Sequence, residues 1–303
     1  MNCKEALSLR EERSGKCKTA DNNNSNRAFF MNWGRVIFKD IKHRAGLILS
    51  LVALVVLVAC ASAPITGRKQ LILLSPGQET QLGLTSFQKL KQETPVSRDP
   101  AKNFLLQQVG KRIAAVADLP DAQWEFVVFE SKEANAFCLP GGKVGVYSGL
   151  FQVTQDEAGL ATVVGHEVAH AAARHGAERL SQSMAAQLGG QALGVGLSAA
   201  DPRLQALAQV AYGLGAQVGV LLPYGRKQES EADRIGLIYM ARAGYDPEAA
   251  IGFWQRFSNL HAKSGRGQVP GFLRTHPVDE VRIRQIQSWL PEAKAEYRAP
   301  QAR

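Results

Sequence analysis

The stretch Val164-Gly165-His166-Glu167-Val168-Ala169-His170 constrains this chain more than any other. It lies in an apolar, alanine-rich run from Asp156 to Arg179 that reads as helix. On a helix, residues four apart differ by about 40° in direction, so both imidazoles leave one face. Two nitrogens can then take two corners of a zinc tetrahedron. Glu167, beside the first histidine, is placed to act on a water as general base. The competing explanations are a chance match and a helix whose histidines merely cap or pack. The helical context and a third candidate ligand weigh against both.

The third ligand decides the class. A metzincin needs a glycine at position 173 and a histidine at position 176; here they are Ala173 and Gly176, which excludes that class. His175 lies nine residues after His166, roughly 180° around a continuous helix. It is expected to point away from the site, as a helix C-terminal residue before Gly176. The better candidate is in Glu229-Ser230-Glu231-Ala232-Asp233, read as the charged first turn of a helix from Glu229 to Ala243 that stops at Gly244. Glu229 and Asp233 share a face. Glu229 can ligate zinc, and Asp233 can accept the outer N–H of a ligand histidine. A solvated acidic helix start would explain this segment alone, but not its pairing with HExxH.

These two motifs, about sixty residues apart, are joined by Asn135-Ala136-Phe137-Cys138-Leu139-Pro140-Gly141-Gly142 upstream and by Thr275-His276-Pro277 and Arg282 near the end. Together they resemble the HtpX-like and CAAX-prenyl-protease-like family of gluzincin zinc metallopeptidases, over roughly residues 65–290 and in the family's order. Cys138 departs slightly, standing where the family usually has a small aliphatic residue. The resemblance implies a zincin-type domain, an α+β and mainly helical fold with a small sheet edging the cleft. It also implies one Zn2+ per chain and protein or peptide substrates.

The 303 residues, 45% hydrophobic, are enough for one catalytic domain with a sizeable core. The net charge of +9 is spread without a basic stripe: residues 1–59 hold 10 Lys and Arg against 5 Asp and Glu, the rest 26 against 22. Nothing in that pattern suggests nucleic acid. Residues 1–30 read as a disordered or mis-annotated extension, with Met31 as an alternative start. Residues 31–59 have the basic and apolar regions of a secretory signal, and the apolar stretch is short for a bilayer span. Leu57-Val58-Ala59-Cys60 resembles a bacterial lipobox, with Cys60 lipidated; an uncleaved signal anchor is the alternative. Ile65 to Leu71 resembles the segment after the lipid anchor in the periplasmic lipoprotein branch of the family. Ala61, rather than an aspartate, then directs the protein to the periplasmic face of the outer membrane. The domain is placed at 60–290 and a disordered tail at 291–303.

Helices are expected at Ser75–Lys91 and Pro100–Val116, and a strand at Trp124–Glu130. Asn135–Leu139 and Lys143–Tyr147 form a hairpin around Pro140-Gly141-Gly142. The hairpin edge can take an extended peptide by strand addition. Asn135 is either a substrate-backbone contact or a turn residue. Leu180–Val220 reads as two helices broken at Asp201-Pro202, covering the cleft, docking on a membrane or partner, or simply packing. A helix at Pro247–Leu260, a loop at 264–270 and a helix at Val278–Trp289 follow. His276, held before Pro277, has three readings: a helix cap, an oxyanion stabiliser, or, as in some similar periplasmic proteases, a ligand in the open coordination position that keeps the enzyme latent. The expected function is hydrolysis of misfolded or unassembled envelope proteins, with outer-membrane assembly machinery as a possible partner. The rival is a non-proteolytic chaperone or assembly factor with a structural or silent zinc site.

Overall fold

The structure, a computed structural model, describes residues 60–198, 201–203, 205, 206, 208, 209, 222–263, 272, 275–277 and 279–298. The readings for residues 1–30 and 31–59, the loop at 264–270 and most of the second helix after Asp201-Pro202 lie outside these residues.

The described chain is mainly helical, with two small sheets. Strands β1 (Cys60–Ser62) and β2 (Lys69–Leu71) pair antiparallel, Cys60 opposite Leu71. Helices α1 (Pro76–Glu93) and α2 (Pro100–Ala114) follow, each with a proline in its first turn. Strands β3 (Glu125–Phe129), β4 (Ala136–Leu139) and β5 (Lys143–Tyr147) form a sheet in the order β3-β5-β4. β3 runs parallel to β5, and β4 antiparallel, so β4 is an edge. The expected hairpin is present. Its turn needs φ values of 81° at Gly141 and 80° at Gly142, which glycine adopts without steric cost.

A short helix α3 (Phe151–Thr154) leads to α4 (Glu157–Ala172), capped by Asp156, whose carboxylate accepts the Gly159 N–H at 2.7 Å. α4 is buried nearly all round, the pattern of a helix inside the core. It packs against α2, β4, α6 (Leu222–Arg242) and α7 (Ala249–Lys263). The contact with α6 is made backbone to backbone: a Cβ on Gly236 would lie 2.9 Å from the His166 nitrogen, and one on Gly165 3.0 Å from the Gly236 carbonyl oxygen. Two glycines facing each other thus let the two motif-bearing helices approach more closely than any side chain would permit. No helix among the described residues is long and apolar enough to cross a membrane.

Four expectations are corrected. The Asp156–Arg179 run is not one helix: α4 ends at Ala172, Arg174 takes a left-handed conformation (φ 55°), and His175 opens α5 (His175–Gly196). The Arg174 conformation, unusual for a residue with a side chain, is held by ion pairing to Glu79 and by a 3.1 Å hydrogen bond to the Leu74 carbonyl. α6 begins at Leu222, so Glu229 lies two turns inside it rather than in its first turn. The final helix α8 spans Glu280–Arg298 and carries Pro291 within it, so the chain from 291 to 298 is not a disordered tail. Apolar residues at helical spacing explain this, since Ile286 and Ala293 are both buried. Three ion pairs dock the same stretch: Glu292 with Arg234, Glu296 with Arg242, and Lys294 with Glu248. Finally, Asp279 caps α8 by accepting the Arg282 N–H at 2.8 Å, so His276 is no cap.

Candidate active site

α4, α6 and the segment before α8 bring His166, His170, Glu229 and His276 together. One donor atom from each lies within 4.8 Å of all the others, and all four residues are buried. His166 Nε2 is 3.1 Å from His170 Nε2, 3.2 Å from His276 Nδ1 and 3.4 Å from Glu229 Oε2. His170 Nε2 is 3.3 Å from Glu229 Oε1, and His276 Nδ1 is 2.8 Å from Glu229 Oε2. A tetrahedral ion bonded at about 2.0–2.1 Å, the reach of imidazole and carboxylate to zinc, has donor-to-donor edges of about 3.3 Å. The spacings given lie near that value, apart from the shorter His276–Glu229 contact, with Glu229 contributing both of its oxygens. The residues therefore fit a metal ion, and His276 is close enough to supply a fourth donor.

The electrostatics agree with the geometry. Burial works to lower the His166 pKa, but Asp233 and Glu229 outweigh it and raise it to about 9. Positive charge is thus favoured on His166, whereas burial disfavours it on His170, whose pKa lies well below the ordinary imidazole value. The Glu229 carboxyl is held far below the usual carboxylate range: burial opposes this, and His170, His166 and His276 outweigh it. Asp233 Oδ1 lies 3.0 Å from His166 Nδ1, within ion-pair range. Arg282 grips Asp233 from behind with two hydrogen bonds of 2.7 and 2.8 Å, its guanidinium 3.9 Å over the Trp254 ring. In the sequence Arg282 is only part of a motif; its clasp on Asp233 is visible only in the fold.

Glu167 is buried beside His166, and burial raises its carboxyl above the ordinary value. Its Oε1 has no hydrogen-bond partner among the described residues, with His276 Nε2 at 3.4 Å. A buried carboxylate oxygen without a hydrogen bond demands an explanation, and a catalytic role supplies one. β4 lies against α4, and the Glu167 charge adds to the burial that raises the Cys138 thiol. Asn135, just before β4, is half-buried; its Oδ1 accepts the Ala136 N–H at 3.0 Å. That contact is local to the turn.

His175 was expected to point away and does not. Its Nδ1 lies 2.8 Å from His170 Nδ1, and its Nε2 2.9 Å from Glu231 Oε2. The break at Arg174 redirects it, which a continuous-helix projection could not anticipate.

Residues 100–290 match the family described as Peptidase family M48. The chain is 36% identical over 234 residues to mitochondrial metalloendopeptidase OMA1 of Schizosaccharomyces pombe, covering 76% of this chain and 66% of that protein. It is 32% identical over 260 residues to the protein of the same name in Saccharomyces cerevisiae, covering 78% and 70%. Against the beta-barrel assembly-enhancing protease of Escherichia coli it is 31% identical over 217 residues, covering 69% of this chain and 43% of the relative. With the HExxH helix, the downstream glutamate and the matching span in place, the chain belongs to peptidase family M48 and carries its metallopeptidase domain.

Proposed function

We propose that the protein is a zinc-dependent endopeptidase that hydrolyses peptide bonds in misfolded or unassembled envelope proteins. It works on the periplasmic face of a bacterial outer membrane, held there by a lipid on Cys60. The observation that carries the catalytic part is the meeting of four metal donors beside the buried carboxylate of Glu167, whose Oε1 makes no hydrogen bond among the described residues. His166, His170 and Glu229 hold the ion, and Asp233 orients His166. Zinc, when bound, acidifies water and polarises a carbonyl. Glu167 takes the proton and hands it to the leaving amine. The edge strand β4 receives the substrate as an added strand, beginning at Asn135.

The names of the relatives point to two settings, mitochondrial and β-barrel assembly. The lipobox-like Leu57-Val58-Ala59-Cys60 favours the envelope and contact with outer-membrane assembly machinery. One acyl chain binds membranes only marginally, whereas several on one cysteine anchor stably. Cys60→Ser is expected to release the protein from membranes or to trap its precursor. Unchanged fractionation, with no lipid mass on the mature N-terminus, removes the anchor.

One observation favours the rival, a chaperone with a silent metal: four protein donors on one ion is the closed pattern of structural zinc. Chelation separates the two. On the protease reading it abolishes casein cleavage, zinc restores cleavage, and the melting temperature falls on chelation because metal binding is linked to folding. A metal-replete protein with no cleavage of casein, even after His276→Ala, supports the chaperone.

A further inference from the structure

We propose that the β1–β2 turn is part of the metal centre: Arg68 and Thr66 act through Glu231 and His175 to keep the Nε2 of His170 directed at the metal. This rests on the metallopeptidase reading of the site and adds to it four positioning residues, Thr66, Arg68, His175 and Glu231.

The argument is one of proton placement. As a ligand, His170 must present the Nε2 lone pair, so its proton sits on Nδ1. The partner there is another imidazole, His175 Nδ1, at 2.8 Å. To accept, that nitrogen must be bare, which puts the His175 proton on Nε2. His175 Nε2 in turn faces Glu231 Oε2 at 2.9 Å, and a carboxylate only accepts. Glu231 thereby selects one tautomer in both rings. With the opposite tautomer in His175, a hydrogen would point at His170 Nδ1 and move the His170 proton onto Nε2, against the metal.

Glu231 is itself held from the hairpin. Arg68 Nε donates to its Oε2 at 2.6 Å, and the Thr66 hydroxyl donates to its Oε1. Arg68 is fixed by two bonds to Glu178, of 2.7 and 2.8 Å, and Glu178 is buried and accepts from Gln228 at 2.6 Å. The two ligand histidines are thus supported in parallel. His166 rests on Asp233 and Arg282, and His170 rests on His175, Glu231 and Arg68. The second chain crosses more than 160 positions of sequence to reach a residue eight beyond Cys60.

The test is metal affinity rather than turnover. Zinc affinity is measured by chelator competition for the full chain, Arg68→Met, Arg68→Lys, Glu231→Gln and the control Lys69→Ala. Cobalt-substituted ligand-field spectra and melting curves accompany each. Loss of a group supporting a metal ligand typically costs 10–100-fold in affinity. Arg68→Met and Glu231→Gln are expected to lose that much and to shift the cobalt spectrum. Arg68→Lys should recover part of the loss, and Lys69→Ala should match the parent. If Arg68→Met does not fold, the near-isosteric Glu231→Gln decides. Parental affinity and spectrum in whichever of these variants fold overturn the proposal. A parent chain that binds no zinc overturns the metallopeptidase reading instead.

Discussion

Glu167→Gln is expected to fold, keep its metal and lose casein cleavage by about 10²–10⁴-fold, the range general bases contribute. The amide has nearly the volume of the carboxylate, so the packing around position 167 is preserved. What changes is the ability to accept a proton. Burial holds the Glu167 carboxyl above the ordinary range, which makes it a stronger base than an exposed glutamate. Its Oε1 has no hydrogen bond to lose among the described residues, only the 3.4 Å approach of His276 Nε2. Metal content and cleavage are measured on the same preparation. Wild-type cleavage by the Gln variant would remove Glu167 from the mechanism; loss of metal along with activity would make it structural.

His276→Ala is expected to raise cleavage about tenfold or more. A catalytic metal keeps one coordination position for water or substrate, and a structural one is closed. Here His276 Nδ1 is close enough to supply a fourth donor, 3.2 Å from His166 Nε2 and 2.8 Å from Glu229 Oε2. Its other nitrogen reaches toward Glu167, the group that needs a water in front of it. On the latency reading, activity is proportional to the fraction in which His276 has left. Each 1.4 kcal/mol favouring closure hides a factor of ten, which the alanine variant releases. The variant also loses the packing of the ring on Phe272, 4.4 Å between centroids, so some stability is given up. A fall in kcat with metal retained would assign His276 to oxyanion stabilisation. No change in activity, metal content or stability would leave it without a role at the site.

What was legible in the sequence was what obeys a local period. The four-residue spacing of His166 and His170 and the shared face of Glu229 and Asp233 hold inside unbroken helical turns, so projection from a helix worked. The hairpin at Pro140-Gly141-Gly142 was readable because its turn chemistry is local. Projection failed where the helix was not continuous. His175 was assigned by counting 100° steps from His166 across Arg174, and the left-handed Arg174 made that count meaningless. The end of α8 was misjudged for the opposite reason: Pro291 reads as a stop, yet Ile286 and Ala293 continue an apolar face across it. The roles of Arg68 and Arg282 were illegible because their partners lie more than 160 and nearly fifty positions away.

Glu229, Glu231 and Asp233 all sit within five residues of α6, and their targets sit on or just beyond α4. A slip of one residue along α6 would displace all three by about 1.5 Å and turn them by about 100°. The glycine pair Gly165 and Gly236 sets how closely the two helices approach, and in this seating all three carboxylates reach their targets. A newly made chain whose α6 has not docked in register has no place for the ion, and a destabilised chain that lets the helices part loses it again. Competence to cut is tied to the protease's own correct folding, so the copies most prone to misbehave are also the ones unable to damage their neighbours.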